Sequence, residues 1–409
     1  MNYKNKQFCR VRTITTFLVM SEQKKDWKKS ISKAANFCTE LSQQFMQQGY
    51  DVQSIRIVTN PFGEYLNTSS LNEAKADLET ITQILNKLEL PGLRIRFAIG
   101  EATTKHEISL LPDLIKHYGD LCNACVNVSC DEFSVLDNEL ITESAKAVIR
   151  ISKITDRGEG NFNFTVNFNC DPLIPYFPAS YHRKGLGNRF VIGLETPDLL
   201  VKVLDEYNNS ATDENHNDRF KGYYEVMTSG LQYHIDDINN IVKDFNNENF
   251  IFSGIDSSAA PSKNCSSMVD VYKRMGIEYF GASGTVEASS LLTRVFKSIQ
   301  NVELVGFSGL MLALTEDTGL AEGTINNEFD IRSLLTYSAV CGIGLDTVPI
   351  PGDTSIQKIS ALMRDTGTMA FRLNKPLTVR LFPVPGLKAG DMTAFESDDL
   401  CNCAVLSVP

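Results

Sequence analysis

The chain has 409 residues, 43% of them hydrophobic and 22% charged, with a formal net charge of −11 at pH 7. The apolar fraction excludes a disordered chain, and the length suits one large barrel or two modest domains. The acidic balance excludes an obvious nucleic-acid partner: the densest basic cluster, Lys24, Lys25, Lys28 and Lys29, is offset by Glu22 and Asp26 and reads as a solvated helix face.

The opening stretch MNYKNKQFCRVRTITTFLVM is basic, but Arg12, Thr13 and Thr15 break its apolar run. It predicts a short polar lead and a strand over 11–18, not a signal peptide. Further strands are predicted at 54–60, 93–100, 125–129, 163–169, 189–195, 249–255, 278–282, 302–308, 341–350 and 377–383. Helical patterns separate most of them. Leu71, Ala74, Leu78, Ile81 and Leu85 form one apolar stripe, a second helix follows the GASG turn from Thr285, and a third follows PGDT at 351–354. The polar, Asn-rich stretch 205–220 predicts an exposed loop inside one domain spanning 1–409. Strand–helix alternation means a mostly parallel α/β sheet, and ten or eleven strands suit a large barrel better than an open sheet. Periodicity alone does not separate the two.

No stretch reaches the roughly 18 apolar residues of a membrane span, so neither a membrane nor a nucleic acid is expected as partner, and cytoplasm is the expected location. The ten cysteines include a CxxC at Cys122 and Cys125 and a CxC at Cys401 and Cys403, but no well-spaced thiolate set for a metal. Reduced, mostly buried thiols are the plain expectation.

In parallel α/β proteins ligands gather at the carboxyl ends of strands. There the sequence repeats a pattern: Gly100-Glu101-Ala102-Thr103, Gly193-Leu194-Glu195-Thr196, Gly254-Ile255-Asp256-Ser257 and Gly344-Leu345-Asp346-Thr347. Each places a carboxylate and a hydroxyl just past an apolar run. Helix capping is the plain use of such residues; four at equivalent places also suit a shared cavity. Within 341–355, Asp353 is placed to cap the helix beginning near Thr354, whereas Asp346 sits in a buried strand, where a carboxylate is costly unless paired. Asp346 with Asp256 is therefore the candidate acid/base pair, or the candidate seat of a hard divalent ion such as Mg²⁺.

GASGT, with Ser283, Gly284 and Thr285, opens a helix and offers backbone N–H groups to an anion. GFSGL, with Ser308 and Gly309, is similar. A bare turn explains either equally well. Neither has the spacing of a nucleotide-binding loop, and no nucleophile elbow supports a Ser–His hydrolase. The loop over 169–189 carries Asn169 and His182 and suits a lid or pocket wall. His182, one of five histidines, is the third catalytic candidate.

VRTIT at 11–15, IDSSAAPS at 255–262, GASGT at 281–285, GFSGLMLALTEDTGL at 306–320, CGIGLDTVPIPGDTS at 341–355 and VRLFPVPGLKAGD at 379–391 together resemble the domain-of-unknown-function 711 family. The resemblance spans nearly the whole chain and is strongest over 250–395. It implies a ten-stranded α/β barrel similar to pyruvate formate-lyase and anaerobic ribonucleotide reductase, with no established activity. Glycyl-radical chemistry is not implied, because CNCAVLSVP at the end of the chain lacks the Arg-Val-x-Gly-like loop. Ser283 stands where the family tends to have histidine, while Asn169, Pro175, Phe177 and His182 keep its pattern. The expected function is an enzyme acting on a small polar or anionic metabolite by acid/base or metal-assisted chemistry. The alternative is a non-catalytic metabolite-binding or regulatory protein. A homo-oligomer fits a barrel of this size.

Overall fold

The computed structural model describes residues 2–88, 90, 93–210, 215–245 and 248–409. Nine strands join in one sheet: β1 (Arg10–Leu18), β2 (Ser54–Thr59), β3 (Arg94–Glu101), β4 (Asn123–Val128), β5 (Phe164–Phe168), β6 (Arg189–Glu195), β7 (Ile251–Asp256), β8 (Gly344–Pro351) and β9 (Leu377–Val384). Their order is β7-β6-β1-β2-β3-β4-β5-β9-β8. Strands β1 to β5 are mutually parallel. At each side the direction reverses: β6 pairs antiparallel with β1, and β9 antiparallel with β5, each carrying a parallel outer neighbour, β7 or β8.

Helices α1 (Trp27–Gln47), α2 (Leu71–Leu85), α3 (Lys105–Tyr118) and α4 (Asn138–Ile154) are the crossovers of the parallel run. Then come α5 (Pro197–Ser210), α6 (His216–Asp244), α7 (Met268–Arg274), α8 (Thr285–Lys297), α9 (Thr318–Ile325), α10 (Ile331–Ser338) and α11 (Ile356–Arg372). Local sequence sets their starts: the Ser70 hydroxyl accepts from the Glu73 amide at α2, and Thr104 and Glu107 form a capping box at α3.

The two faces of the sheet differ in chemistry, and the strand period of two separates them. Ile14, Ile55, Ile57, Phe97, Ile99, Val126, Val166 and Ile192 join the buried stripes of the helices in the main core. Burying each such side chain stabilises by about 1.5–3 kcal/mol. The alternate positions are also buried yet mostly polar: Arg56, Arg96, Asn123, Thr165, Asn167, Thr378 and Arg380. A helix-covered sheet does not require a polar second face, so this inner face is where function is to be sought.

One further stretch touches both outer strands. Leu304 bridges Ile255 of β7, and Ala313 bridges Asp346 of β8. The Glu303 carbonyl accepts from the Ile255 amide at 3.0 Å, and the Asp346 carbonyl from the Leu314 amide at 3.1 Å. Gly254 makes the first contact possible: its φ is +136°, and an added Cβ would lie 2.3 Å from the Glu303 carbonyl oxygen.

Several sequence expectations need correction. The strand expected at 302–308 is reduced to the single bridge at Leu304, and that at 278–282 is a turn. Among the described residues the sheet thus has nine strands, not ten. The stretch 205–220 is not one loop: α5 runs on to Ser210 and α6 starts at His216, while 211–214 lie outside the described residues. Ser355, not Asp353, caps α11 through the Lys358 amide at 3.3 Å; Asp353 is exposed. Among the described residues no helix is long and apolar enough to cross a membrane.

Candidate functional site

The inner face of the sheet encloses a cavity of ≈ 30 Å³ whose walls carry four guanidinium groups, from Arg12 (β1), Arg56 (β2), Arg96 (β3) and Arg380 (β9), against two carboxylates, Asp346 (β8) and Glu316. Arg12, Arg56 and Arg96 are each the third residue of their strand, so the cavity lies toward the amino-terminal ends of β1 to β3. This is the end opposite to the carboxyl ends of β1 to β3, and the reversed β6 brings its own carboxyl end to it. Its last residue, Glu195, pairs in register with Arg10 at the start of β1.

The opposite end is filled from within by the 169–189 loop. Pro178, Ala179, Tyr176 and Phe177 wall the cavity, and the loop is buried from Ile174 through His182. Buried loop backbone has to find partners inside the protein. The Pro175 carbonyl accepts from Thr15 Oγ1 at 3.1 Å and Arg56 Nη1 at 3.2 Å, and the Ala179 carbonyl from Asn167 Nδ2 at 2.9 Å. The Tyr176 hydroxyl accepts from the Leu194 amide and donates to its carbonyl. Phe177 packs with Phe17, Val58, Ala98 and Val191, while the guanidinium carbons of Arg56 and Arg96 stand 5.1 and 5.9 Å from its ring centroid. The loop is thus a pocket wall and an internal plug.

The four arginines are not equivalent. Arg380, 4% exposed, grips Asp346 with Nε at 2.6 Å and Nη2 at 3.0 Å, and Nη2 also reaches Glu316 at 2.5 Å. Arg12 is paired with Glu195 at 3.1 Å, and Arg96 reaches Asp120 at 3.2 Å. Among the described residues Arg56, 5% exposed, has no carboxylate within 4 Å; its side chain makes one hydrogen bond, to Pro175, and its Nε is buried without a partner. Its register neighbour on β3 is another cation, Arg96, whose Nε is likewise unpartnered. Burial and the charges of Arg96 and Arg12 hold the Arg56 pKa well below the ordinary arginine range. Opposite, burial raises the Glu316 carboxyl; Arg380 opposes that rise and Asp346 adds to it.

The residues singled out from the sequence fall into separate places. Asp346 lines the cavity. Asp256 is fully buried and accepts from the Phe307 amide at 2.8 Å, Ser258 at 3.0 Å and Ser308 at 3.1 Å. Burial raises its pKa, and these bonds oppose the rise. Gly306 must be glycine for this, since its Cβ would lie 2.2 Å from Asp256 Oδ2. Ser308 and Gly309 join the same knot through the Ser257 amide at 3.3 Å and Ser258 Oγ at 3.0 Å. The stretch 303–316 connects this knot with Asp346, but the two aspartates share no partner atom. Both oxygens of each carboxylate are already engaged, one set by amides and the other by Arg380, so this pair does not fit a hard divalent ion. Among the described residues no cluster of three or more His, Cys, Asp or Glu suits a metal.

His182 is buried with Nε2 2.9 Å from the Gly187 carbonyl, and Nδ1 has no partner. Burial pushes its pKa down to about 4, so it is neutral at pH 7. Asn169 is half-buried and hydrogen-bonds Asn374 at 3.3 Å. Ser283 and Gly284 are exposed in the turn before α8, and Thr285 spends its hydroxyl on that turn, accepting from Gly281 and donating to Ala282. None of these lines the cavity.

The sequence reasoning missed Arg56, Arg96, Arg380 and Glu316. The signal was present in SIRIVT, RIRFA and LTVRLFP, where an arginine interrupts an otherwise apolar strand.

The class these features define is a helix-covered α/β protein whose sheet has a polar, buried inner face, with Arg56 outside any ion pair among the described residues. The chain belongs to the family described as Uncharacterised ACR (DUF711), which matches residues 3–397. A UPF0210 protein of Clostridium botulinum (strain Alaska E43 / Type E3) is 23% identical over 377 residues, covering 89% of this chain and 82% of its own. One from Carboxydothermus hydrogenoformans is 24% identical over 384 residues, covering 90% and 82%. One from Methanocaldococcus jannaschii is 23% identical over 393 residues, covering 91% and 83%.

Proposed function

We propose that this protein is an enzyme that holds a small anionic metabolite in the arginine-walled cavity and moves a proton on it. The observation that carries the reading is Arg56: a buried cation beside a second cation, with no carboxylate within 4 Å among the described residues. Leaving an ion buried and uncompensated costs several kcal/mol, and a ligand anion removes that cost. Glu316 faces the cavity with a raised pKa and serves as the acid/base group. Asp346 orients Arg380, Asp256 fixes the wall through the Phe307 amide, and His182 steadies the plug. Bidentate engagement of Asp346 by Arg380 favours a second reading, a non-catalytic metabolite binder, because it leaves Glu316 as the single proton carrier in the cavity wall.

The sheet is read as closed into a barrel of the pyruvate formate-lyase type, supported by the stretch 303–314 meeting both outer strands and by walls drawn from β1, β2, β3, β5, β8 and β9. Cytoplasm is the proposed location, in keeping with ten free cysteines. The test is to incubate purified protein with a mixture of small metabolites and follow retention and consumption by mass spectrometry. An anionic compound should be retained by wild type and by Glu316→Gln, and consumed beyond stoichiometry by wild type alone. Retention without consumption supports the binder, and no anionic compound retained overturns both.

A further inference from the structure

We propose that the cavity selects a singly charged carboxylate over phosphate and over dicarboxylates. This rests on the anion-site reading above and names its ligand class. Charge is the first ground. Each of the other three guanidiniums already has a carboxylate: Arg380 has Asp346 and Glu316, Arg12 has Glu195, and Arg96 has Asp120. Arg56 alone has none within 4 Å among the described residues, so one carboxylate finds an unpaired guanidinium and a second finds none.

The far wall is the second ground. Asp346, locked by Arg380, keeps a negative charge in the cavity wall, and Glu316 adds a second whenever it is ionised, so a dianion long enough to reach them meets that repulsion. Specificity of this kind comes as much from what is repelled as from what is gripped.

Size and shape are the third ground. A cavity of ≈ 30 Å³ has room for about two or three water-sized groups. That matches the planar end of a carboxylate and is tight for a tetrahedral phosphate. The unpartnered Nε atoms of Arg56 and Arg96 supply planar donors beside the Phe177 ring, which keeps both guanidinium planes in place.

The probes are acetate, inorganic phosphate and succinate at matched ionic strength, read by calorimetry and by thermal unfolding of the full chain. Wild type should show a saturable shift with acetate, at a half-saturating concentration at least tenfold below that of phosphate or succinate. Arg56→Met keeps the length of the side chain and removes the charge. It should lose the saturable acetate response and, without any anion, unfold at a higher temperature than wild type. Arg56→Lys keeps a charge without the planar fork and should keep a response weakened at least tenfold. Because the calorimetric comparison on wild type stands alone, a variant that fails to fold does not spare the proposal. Equal or tighter binding of phosphate or succinate overturns the selectivity and leaves the anion site standing. No saturable response to any of the three overturns both.

Discussion

Arg56 and Arg380 sit on neighbouring walls of one cavity and illustrate opposite solutions to burying a cation. Arg380 satisfies its donors with two carboxylates and the Phe162 carbonyl, which makes it part of the scaffold. Arg56 is left with a carbonyl and an aromatic face. His182 shows the same logic for a neutral group. Burial holds its pKa at about 4 against 6.5 in an unfolded chain, and the hydrogen bond to Gly187 opposes that shift only in part, while Arg189 and Arg183 add to it. The unfolded chain therefore binds a proton below pH 6.5 that the native protein refuses until about pH 4. Stability from this residue is present above pH 6.5 and is lost as the pH falls toward 4. Between pH 7 and pH 5 the loss amounts to about 2 kcal/mol. Urea unfolding of wild type and His182→Gln at both pH values checks this. The glutamine variant keeps a donor for Gly187 and should show a pH dependence smaller by that amount, with the residual slope including His234, whose pKa burial also depresses. Equal slopes for the two proteins would remove His182 from the account.

At the scale of elements, the knot around Asp256 explains how a stretch with almost no regular structure becomes a wall. Its carboxylate gathers amides from Ser258, Phe307 and Ser308 and pins the 306–309 turn to the end of β7. In Asp256→Asn, whichever way the amide is turned, its NH₂ meets at least one backbone N–H as donor against donor. A buried donor left unsatisfied costs about 1–3 kcal/mol, and the amides of Phe307 and Ser308 should exchange with solvent faster than in wild type. Unchanged exchange there would show that the knot does not hold the wall. These contacts also mark what a sequence can and cannot display. Strands such as SIRIVT and RFVIGLE announce themselves by period and β-branched content, and α2, α8 and α11 by their apolar stripes. EYFGA shares the composition of a strand but not its length: Phe280 is a turn knob packed on Tyr272, Phe329 and Tyr337. VELVGFS has strand chemistry, yet Gly306 turns it away after one bridge. The site was harder to read. Acids at strand ends were visible, but which of them meets an arginine depends on the reversal of β6 and β9, and strand direction leaves no mark on composition. The inward arginines were visible too, as charges inside apolar runs; the burial of the plug loop, which makes those charges consequential, was not.

At the scale of the whole molecule, independent outer edges and one closed ring predict different responses to the same strain. A nine-stranded sheet with free edges would expose unpaired backbone on β7 and β8, a liability that proteins cover or remove. Here one stretch pairs with β7 at Leu304 and with β8 at Ala313. If the sheet closes through it, strain at one end should be felt at the other. Gly254→Val applies that strain locally. Its branched side chain would collide with the Glu303 carbonyl and disfavour the φ of +136°, pushing the 303–305 segment off β7. Hydrogen exchange read by mass spectrometry then separates the two architectures. In a closed ring, peptides covering 302–314 and those covering 344–351 both gain exchange, because slack at Glu303 reaches the Leu314–Asp346 bond and opens the wall made by Phe307 and Met311. In an open sheet only the first set changes, β8 stays protected by its pairing with β9, and the barrel is withdrawn. The closed case also predicts that the same variant weakens acetate binding without touching any group that contacts the anion, since the cavity exists only while both ends of that stretch are held.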